Sequence, residues 1–126
     1  MRTAYIDTSC LVAIAFGATG GTALARRLRQ FDGVFSSNLL EAELRASFVR
    51  EDVEFEDAIL DPITWVLPDR PLTDEIARVL STGYLRGADL WHVACALYLA
   101  GDRAGLAFVT LDSRQAEVAE TLGFET

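Results

Sequence analysis

Residues 2–16 read RTAYIDTSCLVAIAF, and the interpretation of the chain starts from this stretch. Its first part is short, becomes apolar and stops at Asp7, which predicts a strand with a carboxylate directly after it. The part from Thr8 to Phe16 is mostly apolar and is followed by Gly17, which predicts a buried helix. A strand that leads directly into a helix is the building unit of parallel α/β folds.

The same order of strand and helix recurs along the rest of the chain. Further short strands are predicted at 34–36, 63–67 and 106–111. Further helices are predicted at 22–31, 38–50, 51–60, 73–80, 88–100 and 113–122. This alternation predicts an α/β protein, a three-layer α/β/α sandwich with a largely parallel sheet, formed by a single domain over residues 1–126. The last three residues are compatible with an edge strand.

The composition excludes several classes of enzyme. The net charge is −8, and all 11 basic residues are arginines. Without lysine, the chain lacks the phosphate-binding residue of a P-loop and the amine needed for Schiff-base chemistry. His92 is the only histidine and no Gly-x-Ser-x-Gly segment is present, so a zinc-binding histidine pair and a serine hydrolase triad are excluded.

The cysteines and the hydropathy pattern predict where the protein works. Cys10 and Cys95 fit no metal-binding spacing and lie among apolar residues, which predicts buried thiols in a reducing cytosol. Asp7 interrupts the apolar stretch that an export signal needs, and no apolar run approaches the ~20 residues that cross a bilayer. We therefore expect a cytoplasmic protein without membrane association.

Two acids are predicted to follow strands directly. Asp7 comes after the first strand, and Asp112 comes after the strand that precedes the last helix. The carboxyl ends of parallel strands meet at one edge of a sheet, so we expect both side chains at that edge. Each is also placed to cap the helix that follows it, and capping does not exclude metal binding.

A third acid, Glu43, is predicted on the buried side of a helix. Helical periodicity places it beside the apolar stripe, whereas Glu41 lies on the opposite side and can pair with Arg45. A carboxylate beside a buried stripe needs a partner. That partner is either a metal ion shared with the other acids or, in a purely structural role, Arg50 one heptad further on.

The fourth acid, Asp89, opens the most hydrophobic helix of the chain. A helix that is apolar on all sides is a core helix, and its first turn favours negative charge even without a ligand. His92 follows one turn later. Because it is the only histidine, we interpret it as a hydrogen-bonded core residue and not as a metal ligand.

Taken together, the four acids predict a cation site. Two unpaired carboxylates about 4 Å apart repel each other by roughly 4 kcal/mol at an effective dielectric constant near 20. A divalent cation removes this repulsion, and an all-oxygen set of ligands suits Mg²⁺ or Mn²⁺ and not zinc. The predicted ligands are Asp7, Glu43, Asp89 and Asp112.

Four segments that contain these acids resemble the PIN-domain family, and within it the VapC-type toxins of bacterial toxin–antitoxin pairs. The segments are residues 5–9 (YIDTS), 36–44 (SSNLLEAEL), 86–94 (RGADLWHVA) and 109–112 (VTLD). They occur in the family's order and at similar spacings, and the likeness covers nearly the whole chain apart from a middle part that matches in little but length.

The resemblance implies a five-stranded parallel sheet with helices on both faces and a Mg²⁺- or Mn²⁺-dependent endoribonuclease. It carries the metal and catalytic roles onto the four acids and adds Ser9 and Thr110 as polar supports of the site. It also implies a homodimer, and a cognate antitoxin protein that blocks the site with its C-terminal segment.

The mechanism that these residues suggest is hydrolysis of an RNA phosphodiester by a metal-activated water. Four arginines near the motifs are candidates for contacts with the RNA phosphates, although each of them also fits a solvated surface position. These candidates are Arg45, Arg50, Arg86 and Arg114. A second basic cluster, Arg26, Arg27 and Arg29, suits RNA or an acidic partner.

Alternative functions remain open at this point. One is a PIN-type nuclease of RNA processing that has no antitoxin, although the small size of the chain favours the toxin. Another is a non-catalytic binding module in which the acids only cap helices and form salt bridges. A small phosphatase is disfavoured because lysine is missing and no second aspartate lies two residues after Asp7.

Overall fold

The computed structural model describes residues 1–101 and 105–126, and its centre is a parallel sheet. The strand order is β3-β2-β1-β4, and each neighbouring pair is parallel. The strands are β1 (Thr3–Ile6), β2 (Gly33–Ser37), β3 (Ile63–Val66) and β4 (Leu106–Val109). The predicted α/β architecture with a parallel sheet is confirmed.

Next to β4, the C-terminal residues form a single parallel bridge in place of a full fifth strand. Ala107 is bridged to Glu125, and the N–H of Phe108 donates to the carbonyl oxygen of Glu125 at 2.8 Å. The sheet thus has four strands within the described residues, and the position of a fifth is occupied only at Glu125.

In the part of the chain that the structure describes, six α-helices surround the sheet on its two faces. They are α1 (Thr8–Ala15), α2 (Gly21–Leu28), α3 (Leu39–Arg50), α4 (Thr73–Thr82), α5 (Gly87–Ala100) and α6 (Ser113–Thr121). Among the described residues, none of them is long and apolar enough to span a membrane.

Strand alternation divides the core into two layers. Ala4 and Ile6 point to one face and pack with buried residues of α1, α2 and α3. Tyr5 points to the other face, where it stacks on Phe108 with ring centroids 5.5 Å apart and packs with residues of α4, α5 and α6. Both cysteines are buried and unpaired, as predicted.

The helix predicted at 51–60 is wrong for most of its length. Helix α3 ends because Asp52 adopts a left-handed conformation with φ of 55°. The chain then turns back, and the ring of Phe55 packs on that of Phe48 with centroids 4.9 Å apart. Only Asp57–Leu60 is helical, as a short 3₁₀ turn. The contacts between the two aromatic rings therefore outweigh the helical preference of the acidic segment.

The strand register sets up one polar edge of the sheet. Ile6 of β1 lies opposite Val109 of β4, so the residues that follow, Asp7 and Thr110, leave the sheet side by side. On the other side of β1, strand β2 ends at Ser37 and leads almost directly into α3. The carboxyl edge therefore places the chain after β1, α3 and the chain after β4 next to each other.

Candidate functional site

Asp7 is held at the carboxyl edge by two hydroxyl groups. Its side chain is only 4% exposed, and its oxygens accept hydrogen bonds from Ser9 Oγ at 2.6 Å and from Thr110 Oγ1 at 3.0 Å. Although Asp7 is the N-cap residue of α1, its side chain makes no capping hydrogen bond. Burial raises the pKa of Asp7, and the two hydroxyl groups oppose that rise. Helix capping therefore does not explain why a carboxylate is buried at this position.

Glu43 lies in the second turn of α3 and meets two groups from other elements. Thr8 Oγ1 donates to its Oε1 at 2.6 Å, and His92 Nε2 lies 3.4 Å from the same oxygen. The structural alternative, a pair with Arg50, is not formed because Arg50 pairs with Glu51 at 3.3 Å. The hydrogen bond with His92 is the main reason why the pKa of Glu43 is lowered. The carboxylate is thus kept charged although its side chain is only 36% exposed.

His92 is a hydrogen-bonded core residue, in agreement with its interpretation from the sequence. It is 1% exposed, and its Nδ1 lies 2.7 Å from the hydroxyl oxygen of Tyr5. Its Nε2 faces Thr8 Oγ1 at 3.3 Å as well as Glu43. Sequence reasoning missed Tyr5 and Thr8. One signal was available, because a tyrosine inside a buried strand needs a partner for its hydroxyl group.

Asp112 and Gln115 organise the other side of the site. Asp112 caps α6, because its Oδ1 accepts the backbone N–H of Gln115 at 2.8 Å. The completely buried Gln115 side chain donates from Nε2 to the backbone oxygen of Asp89 at 3.1 Å, and its Oε1 lies 2.8 Å from Thr110 Oγ1. Gln115 therefore joins β4, α5 and α6. It was also missed, although an N-cap acid with glutamine three residues later is the pattern of a capping box.

The pKa of Asp89 is affected by the charges of the other three acids. Burial raises its pKa most, and the negative charges of Asp112, Asp7 and Glu43 raise it further. Within residues 1–101 and 105–126, no hydrogen bond or ion pair reaches its carboxylate. Four acids from separate elements therefore act on one another electrostatically at the carboxyl edge.

The four acids fit a divalent cation in their chemistry but not in their present arrangement. In the described part of the chain, no three acid, histidine or cysteine side chains are arranged so that they can hold an ion as they stand. The chemistry of the donors nevertheless fits, since Mg²⁺ and Mn²⁺ prefer carboxylate oxygens. A cation would neutralise the negative charge that the other three acids place around Asp89, which the interaction with His92 opposes only in part. A cation would therefore have to draw the carboxylates closer together.

Three of the four candidate arginines already contact acidic side chains. Arg45 pairs with Glu41 at 2.7 Å and with Asp57 at 3.0 Å, and it stacks on a phenylalanine ring. Arg50 pairs with Glu51 at 3.3 Å, and Arg114 pairs with Glu117 at 3.4 Å. The fourth, Arg86, is exposed just before α5.

The loop between α4 and α5, residues 83–86, contains two exposed side chains, those of Tyr84 and Arg86, and leads into the helix of Asp89. Arg86 is the N-cap residue of α5, three positions before Asp89. Tyr84 is 67% exposed, and it makes no hydrogen bond or ring contact within the described residues. A Cβ atom added to Gly83 would lie 3.4 Å from a guanidinium nitrogen of Arg114, so this loop adjoins the start of α6.

An apolar groove of about 490 Å³ lies away from the acids. It is lined by residues at the amino ends of β2 and β3, among them Val34 and Ile63, and by Ile14 of α1. None of the four acids lines it. The groove is therefore separate from the acidic site at the carboxyl edge.

Comparison with known proteins gives one match. A family model described as "PIN domain" matches residues 4–121, a range that includes the four acids, the hydroxyl groups on Asp7, His92 and the 83–86 loop. No curated protein and no solved structure matches the chain.

Proposed function

This chain belongs to the PIN domain family, and from that premise we propose that it is a divalent-metal-dependent endoribonuclease, the toxin of a toxin–antitoxin pair. PIN domains are typically metal-dependent nucleases, which supports a hydrolase that acts on phosphodiester bonds. The resemblance to VapC-type toxins in four segments supports the narrower assignment. A homodimer, a cognate antitoxin and a cytoplasmic location belong to the same proposal.

The observation that carries the proposal is the mutual influence of the four acids. The charges of Asp7, Glu43 and Asp112 all raise the pKa of Asp89, although these residues belong to four separate parts of the chain. A salt bridge to Arg50, the structural alternative for Glu43, does not explain the grouping, because Arg50 pairs with Glu51. A grouping of charge that destabilises the protein without a ligand favours a cation-binding role.

When bound, Mg²⁺ or Mn²⁺ lowers the pKa of a water molecule and neutralises charge on the scissile phosphate. Asp7 and Glu43 would hold the cation on its buried side, because hydroxyl and imidazole groups already orient them. Asp89 and Asp112 would close the ligand set from α5 and the start of α6. Both ring nitrogens of His92 are engaged, so the imidazole is not free to act as a general base.

The 83–86 loop is the proposed contact surface for RNA. The guanidinium of Arg86 suits a phosphate group, and an exposed aromatic ring such as that of Tyr84 suits a base that is not paired. Arg114 lies on the far side of Gly83 and can extend the contact. Single-stranded RNA is therefore the substrate that this surface favours.

The direct test measures RNA cleavage by the wild-type protein and by Asp7→Asn with Mn²⁺, with Mg²⁺ and with a chelator. We expect cleavage by the wild type only with metal, and a loss of roughly 100-fold or more in the variant, beyond the roughly 10–100-fold typical of outer-shell substitutions. Asp61→Asn is the matched control, since it removes the same charge from an exposed residue just before β3, at the opposite edge. Equal activity of Asp7→Asn and wild type would refute the mechanism.

The toxin assignment is separable from the nuclease assignment. A gene for a small partner just upstream, and growth arrest on expression of the wild type but not of Asp7→Asn, would support the toxin. Cleavage without growth arrest and without a partner gene would favour a nuclease of RNA processing.

A non-catalytic binding module is the second candidate, because Asp112 already serves as a helix cap and, in residues 1–101 and 105–126, no three acids are arranged to hold an ion as they stand. Calorimetry with Mn²⁺ separates it from the nuclease. Neither heat of binding nor a thermal shift is expected of the binding module.

A further inference from the structure

The hydroxyl group of Tyr5 lies at the start of a buried chain of hydrogen bonds that ends at Glu43. Tyr5 is completely buried in β1, and the backbone N–H of Ser37 donates to its hydroxyl oxygen at 3.0 Å. A backbone N–H can only donate, so the tyrosine oxygen is the acceptor in this bond. The single phenolic proton must then go to another group.

Nδ1 of His92 is the best-placed acceptor for that proton, although the hydroxyl groups of Ser36 and Ser37 also lie near the tyrosine oxygen. The Ser36 hydroxyl donates to a backbone oxygen of β1 at 2.7 Å, and the Ser37 hydroxyl makes no hydrogen bond within the described residues. Nδ1 of His92 lies 2.7 Å from the hydroxyl oxygen of Tyr5. The thiol of Cys95, which also lies close to this hydroxyl, is only a weak acceptor. If Nδ1 accepts, the neutral imidazole has its proton on Nε2.

On the other side of the ring, Nε2–H faces the site. It points between Oε1 of Glu43 at 3.4 Å and Thr8 Oγ1 at 3.3 Å. The Thr8 hydroxyl itself donates to the same glutamate oxygen at 2.6 Å. Oε1 therefore has two donors, and Oε2 takes part in none of these bonds.

We propose that Tyr5 is a positioning residue that holds Glu43 ready for the cation. By donating to Nδ1, Tyr5 selects the Nε2–H tautomer of His92. The imidazole then holds Oε1 of Glu43 and leaves Oε2 for the metal. This inference rests on the proposed function, because it gives Glu43 a ligand role, but the tautomer of His92 can be measured without any metal.

The first measurement uses the fact that His92 is the only histidine of the chain. Long-range ¹H–¹⁵N correlation spectra of the metal-free wild type contain one imidazole, so its tautomer is assigned without ambiguity. We expect a protonated Nε2 and an unprotonated Nδ1 at neutral pH. A proton on Nδ1, in the other tautomer or in an imidazolium, would overturn the inference, and this result does not depend on the folding of any variant.

The second measurement compares wild type with Tyr5→Phe in the same spectra and in calorimetric titrations with Mn²⁺. We expect a mixture of tautomers in the variant and an affinity for Mn²⁺ about 10-fold lower, at the weak end of the range for outer-shell partners of metal ligands. Tyr98→Phe is the matched control. It also removes a phenol that donates to a carboxylate, here Asp69 at 3.1 Å, and it should change neither result.

The outcomes separate this inference from the proposed function. If the wild type binds Mn²⁺ and Tyr5→Phe keeps the same tautomer or the same affinity, the positioning role is wrong and the nuclease assignment stands. If the wild type binds no Mn²⁺, the proposed function fails, and with it the ligand role of Glu43.

Discussion

The two halves of the acidic site differ in how they are held. The inner pair, Asp7 and Glu43, receives hydrogen bonds from side chains of five other residues: Thr8, Ser9, Cys10, His92 and Thr110. In the outer pair, Asp112 accepts one backbone N–H as a helix cap, and Asp89 accepts no hydrogen bond on its carboxylate within the described residues. The inner pair is thus oriented by several side chains before a ligand arrives, whereas in the outer pair only Asp112 is held, by its capping hydrogen bond.

The difference suggests that the two pairs have different roles in binding the cation. Oriented oxygens need little rearrangement when a cation binds, so the inner pair should determine how well the metal is placed for chemistry. Within the described residues, the carboxylate of Asp89 has no hydrogen-bond donor, and the charges of the other three acids raise its pKa. The outer pair should therefore determine how much the metal-free protein is destabilised.

The largest expected effect is on RNA cleavage, which should fall more when an acid of the inner pair is substituted than when one of the outer pair is. We expect Glu43→Gln to lower RNA cleavage at saturating Mn²⁺ by roughly 100-fold, and Asp112→Asn by only about 10-fold. Asparagine caps a helix as well as aspartate does and keeps one oxygen for the metal. Cleavage rates measured side by side test this order, and a larger loss in Asp112→Asn would break the comparison.

A smaller effect is expected in RNA binding beside the outer pair. Tyr84→Ala should weaken binding of single-stranded RNA about 10-fold, since stacking on an aromatic ring is worth ~1–3 kcal/mol per base. Arg86→Ala should lower the dependence of binding on salt by about one phosphate contact.

Fluorescence anisotropy with an unstructured RNA at several salt concentrations measures both effects. Val49→Ala is the control, because it trims an exposed side chain that lies on α3. Unchanged binding by both loop variants would place the RNA elsewhere.

The outer pair should also affect thermal stability. Asp89→Asn is expected to raise the unfolding temperature of the metal-free protein by a few degrees, because it removes the carboxylate that the other acids repel. In the wild type, Mn²⁺ at 100 times its Kd should stabilise the folded state by about 2.7 kcal/mol. The variant should lose most of that gain. Scanning calorimetry with and without Mn²⁺ tests both statements, and a variant that is less stable without metal would contradict them.

The smallest expected effect concerns pH. The folded pKa of Asp89 is raised above its ordinary value of 3.8, so the folded state binds this proton more tightly than the unfolded state does. The protonated Asp89 carboxyl therefore contributes to the free energy of unfolding below its ordinary pKa, and this contribution is lost as the pH rises from the ordinary pKa through the folded pKa.

It follows that the advantage of Asp89→Asn over the metal-free wild type should be full at about pH 7 and shrink towards about pH 4, where the wild-type carboxyl becomes protonated. Unfolding temperatures of both proteins across this range measure the change. A difference that does not vary with pH would mean that the charge of Asp89 is not the cause.

Local patterns were enough to predict most of the fold and the position of the inner and outer acids. The strand that ends at Asp7 and the apolar helix after it predicted a parallel sheet, because such alternation has few other solutions. The prediction of a helix at 51–60 was wrong because the packing of Phe55 on Phe48, a contact that closes a turn, outweighs local helical preference.

Partners across the sheet were beyond what local patterns predict. Helical spacing offered Arg50 as the structural partner of Glu43, but the structure brings Thr8 and His92 there from two other helices. No periodicity relates these positions, which lie 35 and 49 residues from Glu43 along the chain.

The sequence by itself determined the alternation of strands and helices and the number of acids at the carboxyl edge, because both depend on residue type and short spacing. Only the tertiary structure decided which acids receive hydrogen bonds, and that Tyr5 reaches Glu43 through His92. The physical reason is that a hydrogen bond requires two groups within about 3 Å, and the packing of helices on the sheet sets that distance.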